Sequence, residues 1–121
     1  MAMKLAENEV RAVARYVGMS PQKVRLVADL VRGKNAKAAL DLLRFTTKAA
    51  SEPVSKAIAS AIANAVENKQ FTEADLIISH IFVDGAPTRQ WRRFAARGRF
   101  RPLQRKSSHI TVVLQEREGE E

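Results

Sequence analysis

The feature that most restricts the fold is a segment at 85–109 that contains no acidic residue. It carries eight of the 21 basic side chains: Arg89, Arg92, Arg93, Arg97, Arg99, Arg101, Arg105 and Lys106. The other 96 residues hold 13 basic and 13 acidic side chains, so their net charge is zero. Because a run of unpaired cations cannot be buried in a core, the chain is predicted to fold as a neutral domain with one cationic extension.

The extension lies between two stretches that are typical of β-strands, at 76–83 and 108–114. Three forms are open to it: a solvated basic loop, a basic amphipathic helix for a membrane surface or calmodulin, and a long β-hairpin. Gly98 and Pro102 interrupt any helical pattern. A hairpin that reverses at Arg97-Gly98 would have arms of roughly 12 residues and reach ~40 Å. The sequence therefore favours a hairpin arm that spans residues 84–109.

The side chains of this arm indicate its partner. Seven of its eight cations are Arg, whereas elsewhere Arg and Lys number six and seven. The guanidinium group donates two parallel hydrogen bonds to phosphate and stacks on bases. Trp91, Phe94 and Phe100 lie among these arginines, and aromatic rings stack on the unpaired bases of folded RNA. The arm is therefore predicted to insert into folded RNA.

Composition excludes several other functions. The 121 residues suffice for one domain, and 45% are hydrophobic, which is typical of a globular core. The chain has no Cys and two His, so thiolate metal sites, disulfides and Cys nucleophiles are excluded and a His metal site is not expected. We expect no metal, cofactor or small-molecule substrate. Met1 to Val10 contains no apolar run and no stretch is long enough to span a bilayer, so no membrane partner is expected.

The rest of the chain predicts an α+β fold, with a small antiparallel sheet packed on three helices. A loosely alternating strand is expected at 9–17, with Tyr16 on the same side as Val10. Helices are expected from Ser20-Pro21 to Gly33, from about Asn35 to Arg44, and from Ser51 to about Asn68, with Ser20 and Ser51 as caps. Their predicted inward positions are 24, 27, 28, 31, 36, 39, 40, 43, 54, 57, 58, 61, 62 and 65. Residues 1–121 are expected to form one domain, with a frayed acidic tail at 116–121.

Three features suggest other roles. Ser108 and His109 resemble a nucleophile and its base, but adjacent residues of a strand point to opposite faces. His80 and His109 are interpreted as ordinary strand residues, so no enzyme is predicted. Asp84-Gly85 is a turn signal inside a predicted strand and suggests a bulge at the base of the arm.

Four blocks of sequence carry a resemblance to a known family. They are SPQKVRLVADLVRGK at 20–34, SAIANA at 60–65, IFVD at 81–84 followed by Pro87, and SHITVV at 108–113. With these blocks in this order, the chain resembles the bacterial-type large ribosomal subunit protein twenty-two family over nearly its whole length.

The resemblance implies a structural component of the large ribosomal subunit. Such a protein binds large-subunit ribosomal RNA, supports subunit assembly and lines the polypeptide exit tunnel with its hairpin. The implied partners are that RNA, neighbouring large-subunit proteins and the nascent polypeptide. The implied location is the cytoplasm, with an organellar ribosome as an open alternative.

Carried over to this chain, the resemblance directs residues of the first predicted helix toward RNA. With the arm residues, the predicted RNA-binding set is Ser20, Lys23, Arg25, Arg32, Lys34, Arg89, Trp91, Arg92, Arg93, Arg97, Arg99, Arg101, Arg105 and Lys106. The predicted tunnel tip is Phe94, Ala95, Ala96, Arg97, Gly98 and Arg99. Many members have a Pro-Arg pair where this chain has Phe94-Ala95, so its tip has one cation fewer and one more ring.

Two other functions compete with the ribosomal hypothesis. A stand-alone regulator that binds nucleic acid non-specifically would share the strong salt dependence expected of a cationic arm. It would bind plain duplex as well as it binds folded RNA. An enzyme is the more distant alternative.

Overall fold

Helices and strands follow one another in the predicted order. The structure is a computed structural model that describes residues 7–86, 89–94 and 100–117. The described helices are α1 (Pro21–Val31), α2 (Ala36–Arg44) and α3 (Ser51–Asn68), with a 3-10 turn at Glu73–Asp75. The described strands are β1 (Glu9–Val17), β2 (Leu76–Gly85), β3 (Arg89–Phe94), β4 (Phe100–Arg105) and β5 (Ser108–Glu116). The predicted α+β class is confirmed.

The main sheet is antiparallel and has the order β1–β5–β2. Its central strand alternates strictly at its first five residues, and Ile110, Val112 and Leu114 are completely buried. This is the expected period of a strand with one face on the core. The central strand therefore supplies the middle of the core, and the two flanking strands pair with it on either side.

The helices cover one face of this sheet. On α1, Val24, Val27, Ala28 and Val31 recur at helical spacing and are fully buried. On α3 every predicted inward residue is buried, from Val54 to Ala65, and α2 buries Ala36, Ala39 and Leu43. The stripes of all three helices were thus predicted correctly, because helical periodicity identifies the apolar side. The opposite face of the sheet is not covered by any described helix, and we call it the open face.

Of the two predicted helix caps, Ser20 is confirmed in position only and Ser51 is wrong. Ser20 occupies the N-cap position of α1 in extended backbone, but its side chain makes no capping hydrogen bond. Ser51 is the first residue of α3 rather than its cap, and its Oγ donates to the Thr46 and Lys48 carbonyl oxygens at 3.2 and 2.7 Å. At α2, by contrast, the Asn35 side chain accepts from two backbone N–H groups. A serine at the start of a helix can thus donate its hydroxyl to carbonyl groups of the preceding turn, instead of accepting from the first N–H groups of the helix.

Each flanking strand contains a β-bulge. In β1 the register with β5 shifts between Ala14 and Val17, and in β2 it shifts between Ile78 and His80. The predicted bulge at Asp84-Gly85 is wrong, because both residues stay in register with β5. The extra residue in each bulge reverses the side of the sheet on which all later residues lie.

A two-stranded ribbon of β3 and β4 extends from the sheet at the ends of β2 and β5. Arg89 is opposite Arg105 at one end of the ribbon, and Phe94 is opposite Phe100 at the other. A hydrogen bond from the Ala86 N–H to the Ser107 carbonyl oxygen, at 3.0 Å, continues the pairing of β2 and β5 toward it. The predicted antiparallel hairpin is therefore present in the described residues.

The end of the chain is held to the domain further than expected. Glu116 was predicted to begin the frayed tail, yet it is the last residue of β5, and its Oε2 accepts from the Thr72 N–H at 2.8 Å. The Arg117 N–H donates to the Asp75 carbonyl oxygen. These contacts close the sheet against the turn before β2. The rest of the predicted tail, 118–121, lies outside the described residues.

Candidate nucleic-acid interface

The ribbon of β3 and β4 concentrates positive charge by its register. Its six residue pairs include two in which Arg is opposite Arg: Arg89 with Arg105, and Arg93 with Arg101. Like charges directly opposite each other destabilise an isolated strand pair. Arg92 and the exposed Lys106 add to the same charge without an acidic residue between them. A bound polyanion would neutralise these charges. On a surface that only contacts water, by contrast, placing Arg opposite Arg has no benefit.

The predicted tunnel tip lies mostly outside the described residues. Phe94 is the last residue of β3, and Ala95, Ala96, Arg97, Gly98 and Arg99 are not described. The prediction for these positions therefore rests on the sequence.

Two arginines predicted to contact RNA are engaged within the domain. Arg25 donates to the Val83 carbonyl oxygen from Nε at 3.1 Å and from Nη2 at 2.8 Å. Arg32 donates from Nη2 to the Ile81 carbonyl oxygen at 2.8 Å and pairs with Asp29 through Nη1. Arg25 and the C-cap residue Arg32 are seven residues, or about two helical turns, apart and therefore lie on the same side of α1. They bind the edge of β2 that faces away from β5.

The turn after α1 completes this edge. The Gly33 N–H donates to the Ile78 carbonyl oxygen at 3.0 Å, and the Ile78 N–H donates to the Lys34 carbonyl oxygen at 2.9 Å. An open strand edge is a template for pairing with another chain. In this protein, backbone groups of the turn and the two guanidinium groups occupy that edge.

The predicted helical RNA-binding residues do not form one patch. Lys23 is two positions from Arg25, so it lies almost on the other side of the helix, where it lines a surface groove of about 470 Å³ with Leu26 and Lys48. Lys34 is exposed beyond the C-terminal end of the helix, and Ser20 is at the opposite end. Lys23 therefore lies on a different side of α1 from Arg25 and Arg32, although all three residues are exposed.

Sequence reasoning missed a group of rings on the open face. Tyr16 and His109 are edge to face, with ring centroids 4.8 Å apart, and His80 and Phe82 are stacked at 5.7 Å. Tyr16 is 63% exposed and has a left-handed backbone with φ 57°. It was predicted on the same side as the buried Val10, and the bulge in β1 places it on the opposite side. Nothing in a single sequence shows where a bulge inserts its extra residue, so no signal was available.

Neither a metal site nor a membrane span occurs in the part of the chain that the structure describes. No group of three or more His, Asp or Glu residues there could hold a metal ion. No described helix is long and apolar enough to cross a bilayer.

The fold and its charge together define an α+β domain that carries an arginine-rich β-hairpin, an architecture suited to anchoring on a polyanion. The model of the family described as ribosomal protein L22p/L17e matches residues 12–115. The chain therefore belongs to the ribosomal protein L22p/L17e family, and the resemblance predicted from its four blocks is confirmed.

Similar proteins from bacteria agree with this family. A large ribosomal subunit protein uL22 from Desulfitobacterium hafniense (strain Y51) is 46% identical over 110 residues, which cover 91% of this chain and 96% of that protein. A protein of the same name from Deinococcus radiodurans is 46% identical over 106 residues, which cover 88% of this chain and 79% of that protein.

Proposed function

We propose that the protein is a structural component of the large ribosomal subunit in the cytoplasm. In this proposal the arm at 84–109 binds large-subunit ribosomal RNA, supports subunit assembly and lines the polypeptide exit tunnel. Neighbouring large-subunit proteins and the nascent polypeptide are its further partners. The function is structural and involves no catalysis.

The observation that carries the RNA partner is the register of the hairpin. Arg is opposite Arg at two of the six residue pairs of β3 and β4, in a chain whose residues outside 85–109 have a net charge of zero. Burying such a ribbon among phosphates converts the repulsion into charge-assisted hydrogen bonds and releases counterions. Folded RNA fits better than plain duplex because a protruding hairpin can reach phosphates and unstacked bases in its irregular interior.

The first experiment is sedimentation of the protein in a lysate through sucrose gradients at low and high salt. Co-migration with the large subunit that survives high salt is expected, because an arm enclosed by RNA is not released by screening alone. Release at high salt as a free protein would contradict the proposal and favour the non-specific regulator.

A matched pair of charge variants tests whether the arm is the anchor. The first changes four cations of the ribbon to Gln: Arg92→Gln, Arg93→Gln, Arg101→Gln and Arg105→Gln. The control removes the same charge from exposed helical-domain positions: Lys37→Gln, Arg44→Gln, Lys48→Gln and Lys69→Gln.

Binding to a transcript of large-subunit ribosomal RNA is measured over a range of salt concentrations. If each arm cation contacts one phosphate, the slope of log K against log salt should fall by about 3 in the arm variant. The control should keep a slope near that of the unmodified protein. Equal changes in both variants would mean that net charge, rather than the arm, decides binding.

The tunnel-lining role has a separate test. A photo-crosslinking amino acid in place of Arg97 should capture nascent polypeptide in translating ribosomes. The same group in place of Lys69, on the helical domain, should not. Crosslinks from position 97 to RNA alone would contradict the tunnel role and leave RNA binding intact.

A further inference from the structure

Four ring side chains share the open face of the main sheet, and the two bulges place three of them there, Tyr16, His80 and Phe82. In β2, Leu76 and Ile78 are buried before the bulge, and Ile81 and Val83 are buried after it. The buried residues of β2 thus have even numbers before Ser79, the extra residue of the bulge, and odd numbers after it. With regular pairing, Phe82 would lie on the core side and Ile81 on the solvent side.

The bulge in β1 has the same consequence. Val10 and Ala12 are buried before it, and Val17 packs against the core after it. Tyr16 is the residue displaced to the open face, and it is held in the left-handed backbone region. For a non-glycine residue, that region is uncommon and strained. Two independent irregularities therefore turn aromatic rings out of the core and onto one surface.

The pair of Tyr16 and His109 is fixed by a hydrogen bond. The Tyr16 N–H donates to His109 Nδ1 at 3.0 Å. Because Nδ1 is the acceptor, the proton of the neutral imidazole is on Nε2, which is left as a donor. The pair thus presents the exposed phenol ring of Tyr16 next to the Nε2–H donor of His109.

The strand register places the second ring pair, His80 and Phe82, on the open face as well, close to the first pair. Thr111 of the central strand is paired with Val13 on one side and Phe82 on the other, and His109 is two residues before it, ~7 Å along the strand. Val13 is 40% exposed and Phe82 39% exposed. The open face therefore carries exposed rings on both flanking strands, with Val13 and Thr111 between them.

The charge at the margins of this face favours an anionic partner. Arg11 and Arg15 are exposed on β1, and the exposed Lys106 lies where the arm joins β5. Two acids lie on the same face: Glu9, which is half-buried and two residues before Arg11, and Asp84, which is exposed and in register with His109.

We propose that the open face binds an unpaired stretch of RNA, with bases stacked on Tyr16 and Phe82 and the His109 Nε2–H as a donor to the nucleotide. A sheet that exposes aromatic rings between basic residues is a general solution for single-stranded RNA, because every base has a π-face. This inference rests on the proposed RNA-binding function and assigns to it a second surface, apart from the ribbon of β3 and β4.

The test measures binding of a fluorescein-labelled oligouridylate of about 12 nucleotides to the full chain, by anisotropy at several salt concentrations. The ring variants are Phe82→Leu, which keeps an apolar side chain, and Tyr16→Asn, which suits the left-handed backbone. The control is Phe45→Leu, because Phe45 is 81% exposed but lies after α2, on the helical side. Circular dichroism confirms that each variant is folded.

The expected result is a loss of affinity of about 5-fold or more for each ring variant, and no change for the control. The salt slope should stay the same in all of them, because no charge is removed. Tyr16→Asn should be at least as stable as the unmodified protein, so a loss of binding in this variant is not a folding effect.

Three outcomes would overturn the inference. Unchanged affinity in both ring variants would do so, and so would an equal loss in Phe45→Leu. Loss of a neighbouring ribosomal protein from purified subunits, with oligouridylate binding intact, would assign the face to a protein partner instead. The proposed function fails separately, if the unmodified chain binds no RNA or if the arm variant keeps its salt slope.

Discussion

At the scale of single residues, the left-handed backbone at two positions decides how a substitution there changes the free energy of unfolding. Gly33, after α1, has φ 82°, and nothing lies within 4 Å of where a Cβ would stand. Gln70, just after the C-cap of α3, has φ 57°. A side chain in this region costs roughly 1–2 kcal/mol relative to glycine. The two positions should therefore respond to substitution in opposite directions.

Gly33→Ala should lower the free energy of unfolding by about 1 kcal/mol, and Gln70→Gly should raise it by about 0.5–1 kcal/mol. Urea denaturation of both variants gives these values. Gly18→Ala serves as the control, because Gly18 has open space around it and no positive φ. A stabilised Gly33→Ala variant would contradict the stated role of the left-handed turn.

The arginines of α1 show how a residue that suits RNA can be used inside the protein. Arg25 donates two hydrogen bonds to the Val83 carbonyl oxygen while its side chain stays exposed. Arg25→Met should lower the free energy of unfolding by about 0.5–1.5 kcal/mol. The matched control is Lys23→Met on the same helix, which should change it by less than about 0.5 kcal/mol. Equal losses would show that the contact with β2 is not what stabilises the helix.

At the scale of elements, the bulge in β2 decides which residues form the core. Ser79 is the extra residue, and its Oγ donates to the Val113 carbonyl oxygen at 3.2 Å. Without it, His80 and Phe82 would turn inward, and two buried aliphatic residues would turn outward. The bulge is thus a requirement of the fold as well as the source of the exposed rings.

Deleting Ser79 should cost more than about 4 kcal/mol, or prevent folding, because it reverses the faces of half a strand. Ser79→Ala keeps the residue count and should cost no more than about 1 kcal/mol. Thermal unfolding followed by circular dichroism separates the two. A deletion variant as stable as Ser79→Ala would mean that the strand slips into register without the bulge.

At the scale of the whole molecule, the charged arm and the core are separate. Apart from Ala50, which immediately precedes α3, the described core residues all belong to α1, α2, α3 and the three strands of the main sheet. The hydrogen bond between Ala86 and Ser107 marks where the domain ends and the arm begins. Folding of the domain should therefore not depend on the ribbon.

Replacing residues 87–106 by an Asn-Gly turn tests this separation. The free energy of unfolding should be unchanged or higher by up to about 2 kcal/mol, because a shorter loop costs less entropy to close. The same variant should lose its affinity for its binding site on ribosomal RNA. A domain that unfolds without the arm, or one that still enters large subunits normally, would contradict the proposal.

Much of this architecture follows from local rules that a sequence expresses directly. The stripes of α1, α2 and α3 and the alternation of β5 were predictable because period 3.6 and period 2 identify the side that leaves water. The charge partition likewise predicted a cationic arm, because unpaired cations cannot be buried. The hairpin pairing was predictable because Gly98 lies midway between two strand-like stretches.

Tertiary structure alone decided the remaining features. The bulges near Tyr16 and Ser79 depend on which register lets all three strands bury their apolar residues together, and no single strand contains that information. The partners of Arg25 and Arg32 depend on where α1 docks against β2. The sequence by itself determined that the chain has a neutral core and a cationic arm. Only the packed sheet decided which rings face outward and which arginines remain available, because both depend on contacts between residues far apart in the chain.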